Sequence, residues 1–386
     1  MSLNIKENKI YLYAFWGTLF FERSIWSVYL LHQGITMIQI GLLQTVLSTA
    51  MFIFEFPSGI FADRFGEKVT LFLGHVFNII YLSIMLLFPN FPLLLIGFFA
   101  YGIGFAMVSG SDQTLLYHYD DGRQYQEKIG LYNAIGIGSL ALSSFLGGIL
   151  SQHSWSIIFI AGISTQFIAF LILLSISGSR KKNKNEEELI TFEILLLSLK
   201  SITKMNLSLR YLVVAIITFQ SILSVLYNFI QLLLVEKGLD SFHISIVMTL
   251  ALVFSVISSL HMNFLNKKIG KRKSLPIYLI FITITGLLFK LDNIFIVVIA
   301  FFIYGFGYEF IDTTLNTVFH DNISDSIRTS LLSAVNTLTS LLMLGGNLLF
   351  SFSLKFMEVG NVFFIGIILC TAMTATFLIL FNKNYQ

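Results

Sequence analysis

Glu309 and Asp312 stand three residues apart inside the apolar run 293–317. On a helix, positions i and i+3 share a face. Two carboxylates held together in a low-dielectric medium resist double ionisation, so one of them can bind and release a proton as access to water changes. The reading against this is a structural pairing, with Arg23 or with a polar residue such as Asn336. Glu22 and Arg23 are the second candidates, midway along the apolar run 10–31. A charge near the bilayer centre costs about 2.5–3.5 kcal/mol and is a functional candidate for that reason. Adjacent helical residues differ by about 100° in direction. Glu22 would therefore share a face with Trp26 and Tyr29, and Arg23 with Ser27. The chemistry expected is a proton or a cation bound by Glu22, with Arg23 tuning it or holding an anion. An ion pair between helices that only locks packing is the alternative. Glu55 and Asp112 complete the set of six ionisable residues in apolar runs.

The elements that must position these groups are long helices in lipid. The chain has 386 residues, of which 56% are hydrophobic and only 12% charged, with a mean hydropathy of +0.82. A soluble domain carries about 25% charged residues. A spanning helix needs about 20 apolar residues, and twelve runs qualify: 10–31, 37–61, 69–89, 92–116, 129–151, 154–177, 211–235, 243–265, 274–289, 293–317, 329–353 and 360–381. They lack the alternation of barrel strands and are too long for them. The expected fold is an all-α polytopic membrane protein. Met1 to Lys9 has no cleavable-leader pattern. One cysteine, Cys370, excludes an internal disulfide. His32, His153, His243, His118, His320 and His261 show no metal-ligand spacing. No cofactor, metal or nucleic acid is expected.

Basic residues orient the runs. Of 24 Lys and Arg, all but Arg23, Lys237, Lys290 and Lys355 fall on the side that holds both termini. Since Lys and Arg gather in cytoplasmic loops, both termini are expected in the cytoplasm of a cell that carries the chain in its plasma membrane. The one long hydrophilic connection, 178–210, begins Arg180-Lys181-Lys182-Asn183-Lys184 and separates six runs (1–177) from six (211–386). Its second half (Phe192, Leu195, Leu196, Leu199, Ile202) has helical spacing suited to the membrane surface. The halves repeat. Phe98-Phe99-Ala100-Tyr101-Gly102-Ile103-Gly104 recurs as Phe301-Phe302-Ile303-Tyr304-Gly305-Phe306-Gly307, and the loop Asp63–Lys68 has a counterpart in Lys267–Arg272. Glu309 and Asp312 correspond to Ala106 and Ser109, so the repeat does not demand acids there. Parallel repeats of six spans are a transporter arrangement in which the halves rock about a central site.

The loop Gly59-Ile60-Phe61-Ala62-Asp63-Arg64-Phe65-Gly66-Glu67-Lys68 resembles the signature loop between helices two and three of major facilitator superfamily transporters, with Glu67 where that family usually has Arg or Lys. Phe54–Gly59 and Ser109–Tyr117 resemble bacterial drug-efflux-type members. The resemblance implies twelve helices in two six-helix bundles related by a pseudo-twofold. It makes Gly59, Asp63, Arg64, Gly66, Lys68, Asp112 and Arg328 gate residues. Asp63 would face the start of run eleven near Arg328, and Arg64 or Lys68 would pair with Asp112. The exporter motif of run five is reduced to Gly130, Ser139, Ser143, Ser144, Gly147 and Gly148 with no Pro, and run four lacks its Arg.

These features lead to a secondary transporter, not an enzyme. The expected activity is proton-coupled efflux of amphipathic small molecules, a multidrug-resistance antiporter, with uptake of a metabolite as the alternative. The coupling ion is a proton, or Na+, and the carrier a monomer. Proton coupling falls to Glu309, Asp312 and Glu22. Substrate contact falls to Arg23, Trp26, Tyr29, Glu55, Tyr227, Asn228 and Gln231, with Gln220, Tyr227 and Gln231 on one face of run seven. No nucleophile elbow or phosphate-binding Gly loop is present, which disfavours an enzyme, and no Walker motif for an ATP-driven pump. A non-transporting receptor is the remote alternative.

Overall fold

A computed structural model describes residues 5–119, 125–176, 205–269, 271–323 and 325–384, all of whose regular structure is helical. Two compact units divide them: Met1–Glu186 with Asp240–Leu250, and Glu187–Leu239 with Ala251–Gln386. Most of the hydrophilic connection, including its amphipathic half, lies outside the described residues.

The first unit holds α1 (Ile5–Gly17), α2 (Trp26–His32), α3 (Met37–Phe65), α4 (Glu67–Leu87), α5 (Phe91–Val108), α6 (Ser111–Tyr119), α7 (Tyr125–Ser151) and α8 (Trp155–Ser175). The second holds α9 (Leu207–Asn228), α10 (Ile230–Glu236), most of α11 (Ser241–Ile269), α12 (Lys271–Leu288), α13 (Ile294–Asp321), α14 (Asp325–Ser353) and α15 (Val359–Asn384). The first ten residues of α11 pack with the first unit. Ten helices among the described residues are long and apolar enough to cross a membrane.

Two of the twelve expected runs are not among these ten. The ninth is a short apolar helix, Ser274–Leu288. The first is not one helix: α1 stops at Gly17, and α2 starts only at Trp26. Run four also bends, at Ser109-Gly110, where Gly110 adopts φ +77°, a conformation that costs a residue with a Cβ.

Element starts recur 204 residues apart. Trp26 and Ile230 open helices of seven residues, and Met37 and Ser241 open helices of 29. Each short helix ends in the same turn. Ile35 N–H donates to the Leu30 carbonyl at 3.0 Å and Leu239 N–H to Leu234 at 3.0 Å, over glycines at φ +79° and +89° (Gly34, Gly238). Six-to-one bonds over a left-handed residue close a helix end by satisfying its last carbonyls.

The next helix is capped by Thr36, which accepts from Gln39 N–H at 3.3 Å, and in the second half by Asp240, which accepts from His243 N–H at 2.8 Å. The His243 amide holds the Asp240 carboxyl below its ordinary value, with His243's ring adding to the effect. A lowered carboxylate stabilises the fold above the unfolded-state value near 3.9, and that contribution is lost as pH falls through the folded value. Asp240→Ala is therefore expected to lower thermal stability in detergent by about 1 kcal/mol at neutral pH. The difference between the two proteins should shrink as pH falls below the ordinary carboxylate value toward the lower folded one.

Candidate functional site

The break in the first span is the centre of the first unit's polar chemistry. Residues 18–25 leave their backbone groups without a helical ladder, and at membrane depth such groups must find partners inside the protein. Some do so locally, as Arg23 N–H to the Phe20 carbonyl at 3.4 Å and Ile25 N–H to the Glu22 carbonyl at 2.9 Å, and others on α7 and α8. Gln166 donates to the Gly17 carbonyl at 3.3 Å and Thr165 to the Leu19 carbonyl at 3.3 Å. Phe20 N–H donates to Ser143 Oγ at 3.1 Å, and Ser24 Oγ donates to the Ser144 carbonyl at 3.4 Å. The Phe21 carbonyl presses on Gly147, where a Cβ would sit 1.9 Å from its oxygen. The serines of run five are thus not worn-down glycines. They carry the hydroxyl and carbonyl that an irregular segment needs, and Gly147 gives it room.

Behind the break lies a buried polar chain that pattern reading passed over, because His75 has no metal-ligand spacing and sits among apolar residues. His75 Nδ1 lies 2.8 Å from Gln166 Oε1, and Nε2 lies 3.0 Å from the Tyr13 hydroxyl. Gln166 commits its amide N–H to Gly17, so its oxygen accepts, and His75 carries its proton on Nδ1 while Tyr13 donates to Nε2. Asn78 adds a second donor to Gln166 Oε1 at 3.4 Å. All four side chains are buried. The chain orients Gln166, and Gln166 holds the end of α1. The positions 204 residues on are Ile217, Leu279, Ile282 and Cys370, so the second half lacks the network. Its corresponding break is a single residue, Phe229, stacked on Phe350 at 4.0 Å.

The break separates Glu22 from Arg23. Glu22 is 1% exposed and neither oxygen makes a hydrogen bond of good geometry, although the Tyr101 phenol faces it. Tyr101 stacks on Tyr81 at 4.0 Å. Arg23 is exposed, with its guanidinium 5.0 Å from the centre of the Phe105 ring. Because residues 18–25 are not helical, the expected faces Glu22–Trp26–Tyr29 and Arg23–Ser27 do not form. Trp26 packs its ring 5.1 Å from Phe98. Tyr29 is buried, donates to the Met85 carbonyl at 2.6 Å and packs on Phe159. It is a packing residue.

In the second unit α13 presents the acid pair as its spacing predicts. Asp312 accepts from Gln220 Nε2 at 2.7 Å and from Asn316 Nδ2 at 3.1 Å, and Gln220 Oε1 in turn accepts from Thr339 at 3.5 Å. These two amides stand where Asn336 was expected. Glu309 accepts from Ser255 Oγ at 2.8 Å. Tyr308, beside them, stacks on Phe219 and lies 3.5 Å from Ser224 Oγ. Gln220 and Tyr227 keep their i, i+7 relation on α9, and only Gln231 is displaced from their face. Gln220 serves Asp312, Tyr227 is 40% exposed near Phe301, and Gln231 is buried beyond the break at Phe229. Asn228 is half-buried at the end of α9.

The expected latch is only partly assembled. Asp112 does not pair with Arg64 or Lys68. It accepts from the Tyr132 hydroxyl at 3.0 Å and from the Gln113 amide at 2.8 Å, at the start of α6. Lys68 donates to the Ile176 carbonyl, and Lys9 to Ser175 at 2.9 Å. Two cations on the last carbonyls of a helix are placed where its dipole favours them. Asp63 and Arg64 are exposed, with Arg64 against the Phe65 ring at 5.4 Å. Gly66 turns at φ +93°, and Gly59 has open space around it. Glu67, at the position where a basic residue was expected, is buried in the first turn of α4, where a carboxylate suits the helix dipole. Glu55 is exposed on α3. Arg328 lies in the first turn of α14, but its side chain is outside the described residues.

Comparison with known proteins agrees with this architecture. A 90-residue stretch, 23% of the chain and 23% of the relative, is 32% identical to the uncharacterized MFS-type transporter YxaM of Bacillus subtilis. A 155-residue stretch, 39% of the chain and 32% of the relative, is 29% identical to the methylenomycin A resistance protein of the same organism. The matched stretches thus span a quarter to a third of these relatives. Among solved structures, the nucleoside transporter NupG has a TM-score of 0.80 at 14% identity, over 99% of each chain. A D-xylose–proton symporter scores 0.73 at 11% identity, over 97% of this chain and 96% of that one. At such identities the likeness is one of fold. The family model described as Major Facilitator Superfamily matches residues 12–346 and 224–385, and the chain belongs to that superfamily of multi-pass membrane transporters.

Proposed function

We propose that this chain is a proton-coupled carrier that exports amphipathic small molecules, such as drugs or secreted metabolites, by alternating access. The hydrogen bonding of the acid pair carries the reading. Asp312 meets amide N–H donors on both oxygens, an arrangement suited to a fixed carboxylate. Glu309 meets one hydroxyl, and a hydroxyl can donate to a carboxylate or accept from a carboxylic acid. Glu309 can therefore change protonation without losing its partner. Glu22, buried and without a well-formed hydrogen bond, is a second proton site in the other half. Arg23, Trp26, Glu55, Tyr227 and Asn228 remain the proposed substrate contacts. Burial takes Tyr29 and Gln231 out of that set.

The carrier is read as a monomer with twelve spans, in bundles 1–177 and 211–386 joined by 178–210 and related by a pseudo-twofold. The recurrence of element starts at 204 residues supports this. The excess of Lys and Arg supports cytoplasmic termini in a plasma membrane. Gly59, Asp63, Arg64, Gly66, Lys68, Asp112 and Arg328 form the proposed cytoplasmic gate. The resistance protein among the relatives supports export. Metabolite uptake is the second reading, favoured by the absence of a Pro in run five and of a basic residue in run four.

Transport assays in vesicles of both orientations separate the two. Export predicts that everted vesicles accumulate amphipathic dyes when their interior is acidified, and that the collapse of the gradient stops accumulation. Accumulation of metabolites only in right-side-out vesicles with an acidic exterior would replace export by uptake. Accumulation indifferent to pH but driven by Na+ would replace the proton.

A further inference from the structure

The second unit contains a cavity of about 490 Å³ that neither the acid pair nor the broken span uses. It lies among α9, α12, α13 and α15, with Leu275, Pro276 and Leu279 of α12 on one wall and Ala372 and Ala375 of α15 on the other. The small residues of α15 make the space. Leu315 of α13 forms part of the lining. The lining is almost wholly apolar, and two of its members, Ile280 and Ile379, are 60% and 67% exposed. A cavity with such a rim is open at the side, toward lipid.

Its extent matches one leaflet. Lining positions run from Leu275 to Thr283 on α12 and from Ile368 to Asn382 on α15, about 12 Å and about 21 Å at 1.5 Å per residue. Half the hydrocarbon core is about 15 Å.

Basic residues gather at one end. Leu212 lines the cavity two residues after Arg210, and Asn382 lines it one residue before Lys383. α12 opens on the sequence Lys271-Arg272-Lys273, just before Leu275. Asp321, three residues beyond Val318 on α13, is the acid at this end. At the other end, around Thr283 and Ile368, the lining segments bring no basic residue, and the charge nearest in sequence is Asp312, three residues before Leu315 on α13 and held by Gln220 and Asn316. An apolar slot one leaflet deep, bounded at one end by helix ends whose sequence is rich in Lys and Arg, is complementary to an anionic phospholipid, and basic pockets between spanning helices bind such headgroups.

We propose that this cavity holds an acyl chain of an anionic phospholipid of the cytoplasmic leaflet, with the headgroup phosphate at the mouth formed by the starts of α9 and α12 and the end of α15. The assignment to that leaflet rests on the orientation proposed above; the binding itself does not.

The test is native mass spectrometry of the purified full chain, mixed in detergent with phosphatidylglycerol or phosphatidylcholine of the same acyl chains. Phosphatidylglycerol is expected to be retained in preference. The preference should fall about fivefold for each cation neutralised in Lys271→Gln, Arg272→Gln, Lys273→Gln and Lys383→Gln, the size of an interfacial lysine's attraction. Ala372→Phe, or the milder Ala375→Leu, fills the slot and should abolish retention, while Met373→Phe, next in sequence but not in the lining, should leave it intact. Equal retention of the two lipids overturns the proposal, and so does undiminished retention in both filled variants. If neither filled variant folds, exchange on the unaltered chain decides: bound phosphatidylglycerol should resist excess phosphatidylcholine, and free exchange overturns the site. Since no transport is read, failure here leaves the carrier reading intact, and failed transport leaves the lipid site intact.

Discussion

Glu309→Gln is expected to abolish transport driven by a pH gradient while leaving the folded protein and its substrate affinity nearly unchanged. The substitution keeps the shape of the side chain and its bond to Ser255, because a hydroxyl can serve an amide as donor or acceptor. It removes only the ability to carry a proton. Asp312→Asn should behave differently. Gln220 and Asn316 both direct N–H groups at this carboxylate, and an amide NH2 placed between them sets donor against donor. A buried donor left unsatisfied costs about 1–3 kcal/mol, so this variant should unfold at lower temperature and bind substrate poorly. Binding by calorimetry, uptake in everted vesicles and thermal unfolding distinguish the two residues. Wild-type accumulation in Glu309→Gln sinks the assignment of the proton to this residue. Equal loss of stability in both variants sinks the division of labour between them.

Gly147→Ala is expected to be among the most damaging single methyl additions in the first unit. The new Cβ would meet the Phe21 carbonyl oxygen at 1.9 Å and its carbon at 2.9 Å. Nothing flexible stands there to move, since both atoms belong to backbone. Overpacking by a methyl costs about 1–3 kcal/mol where side chains can adjust, and a clash with fixed backbone sits at or above the top of that range. The displaced segment carries Glu22 and Arg23, so transport should fall further than stability alone explains. Gly138→Ala, on the same helix in open space, is the matched control and should be silent. Normal transport by Gly147→Ala would show that the segment is not held against α7 as described.

How much of this was legible beforehand follows from what each residue type can signal. Apolar runs announce spans because lipid tolerates no other composition, and nearly all the runs named from sequence coincide with helices. The acid pair was legible because period 3.6 puts i and i+3 on one face, and a helix without a break preserves that arithmetic. The same arithmetic failed at Glu22. Thr18 to Ile25 contains neither Gly nor Pro, and Gly17, where α1 stops, is a weak local hint of a break eight residues long. The cause lies more than a hundred residues away, in hydroxyls and an amide on α7 and α8 that take over part of the backbone's hydrogen bonds. His75 was overlooked for a related reason: its partners, Tyr13 and Gln166, are 62 and 91 residues distant. The latch was expected from a loop pattern, but charge placement alone does not say which acid a lysine will meet. Here the carbonyls at the end of α8 were nearer to Lys68.

The order of synthesis gives the broken first span a particular history. Its partner Ser143 follows Phe20 by 123 residues, and Gln166 follows Gly17 by 149. At about 5–20 residues per second, the ribosome takes roughly 6–30 s to supply them. Through that interval residues 18–25 cannot rest unwound in lipid, where each unsatisfied backbone group costs several kcal/mol. The nascent segment must therefore stay helical, or remain in a watery or protein-lined passage, and settle into its broken form only when α7 and α8 arrive. Nascent chains that end before α7 should hold their first segment as an ordinary straight helix or keep it out of the lipid. The kink is an acquired feature of the finished half, written last although its sequence is made first.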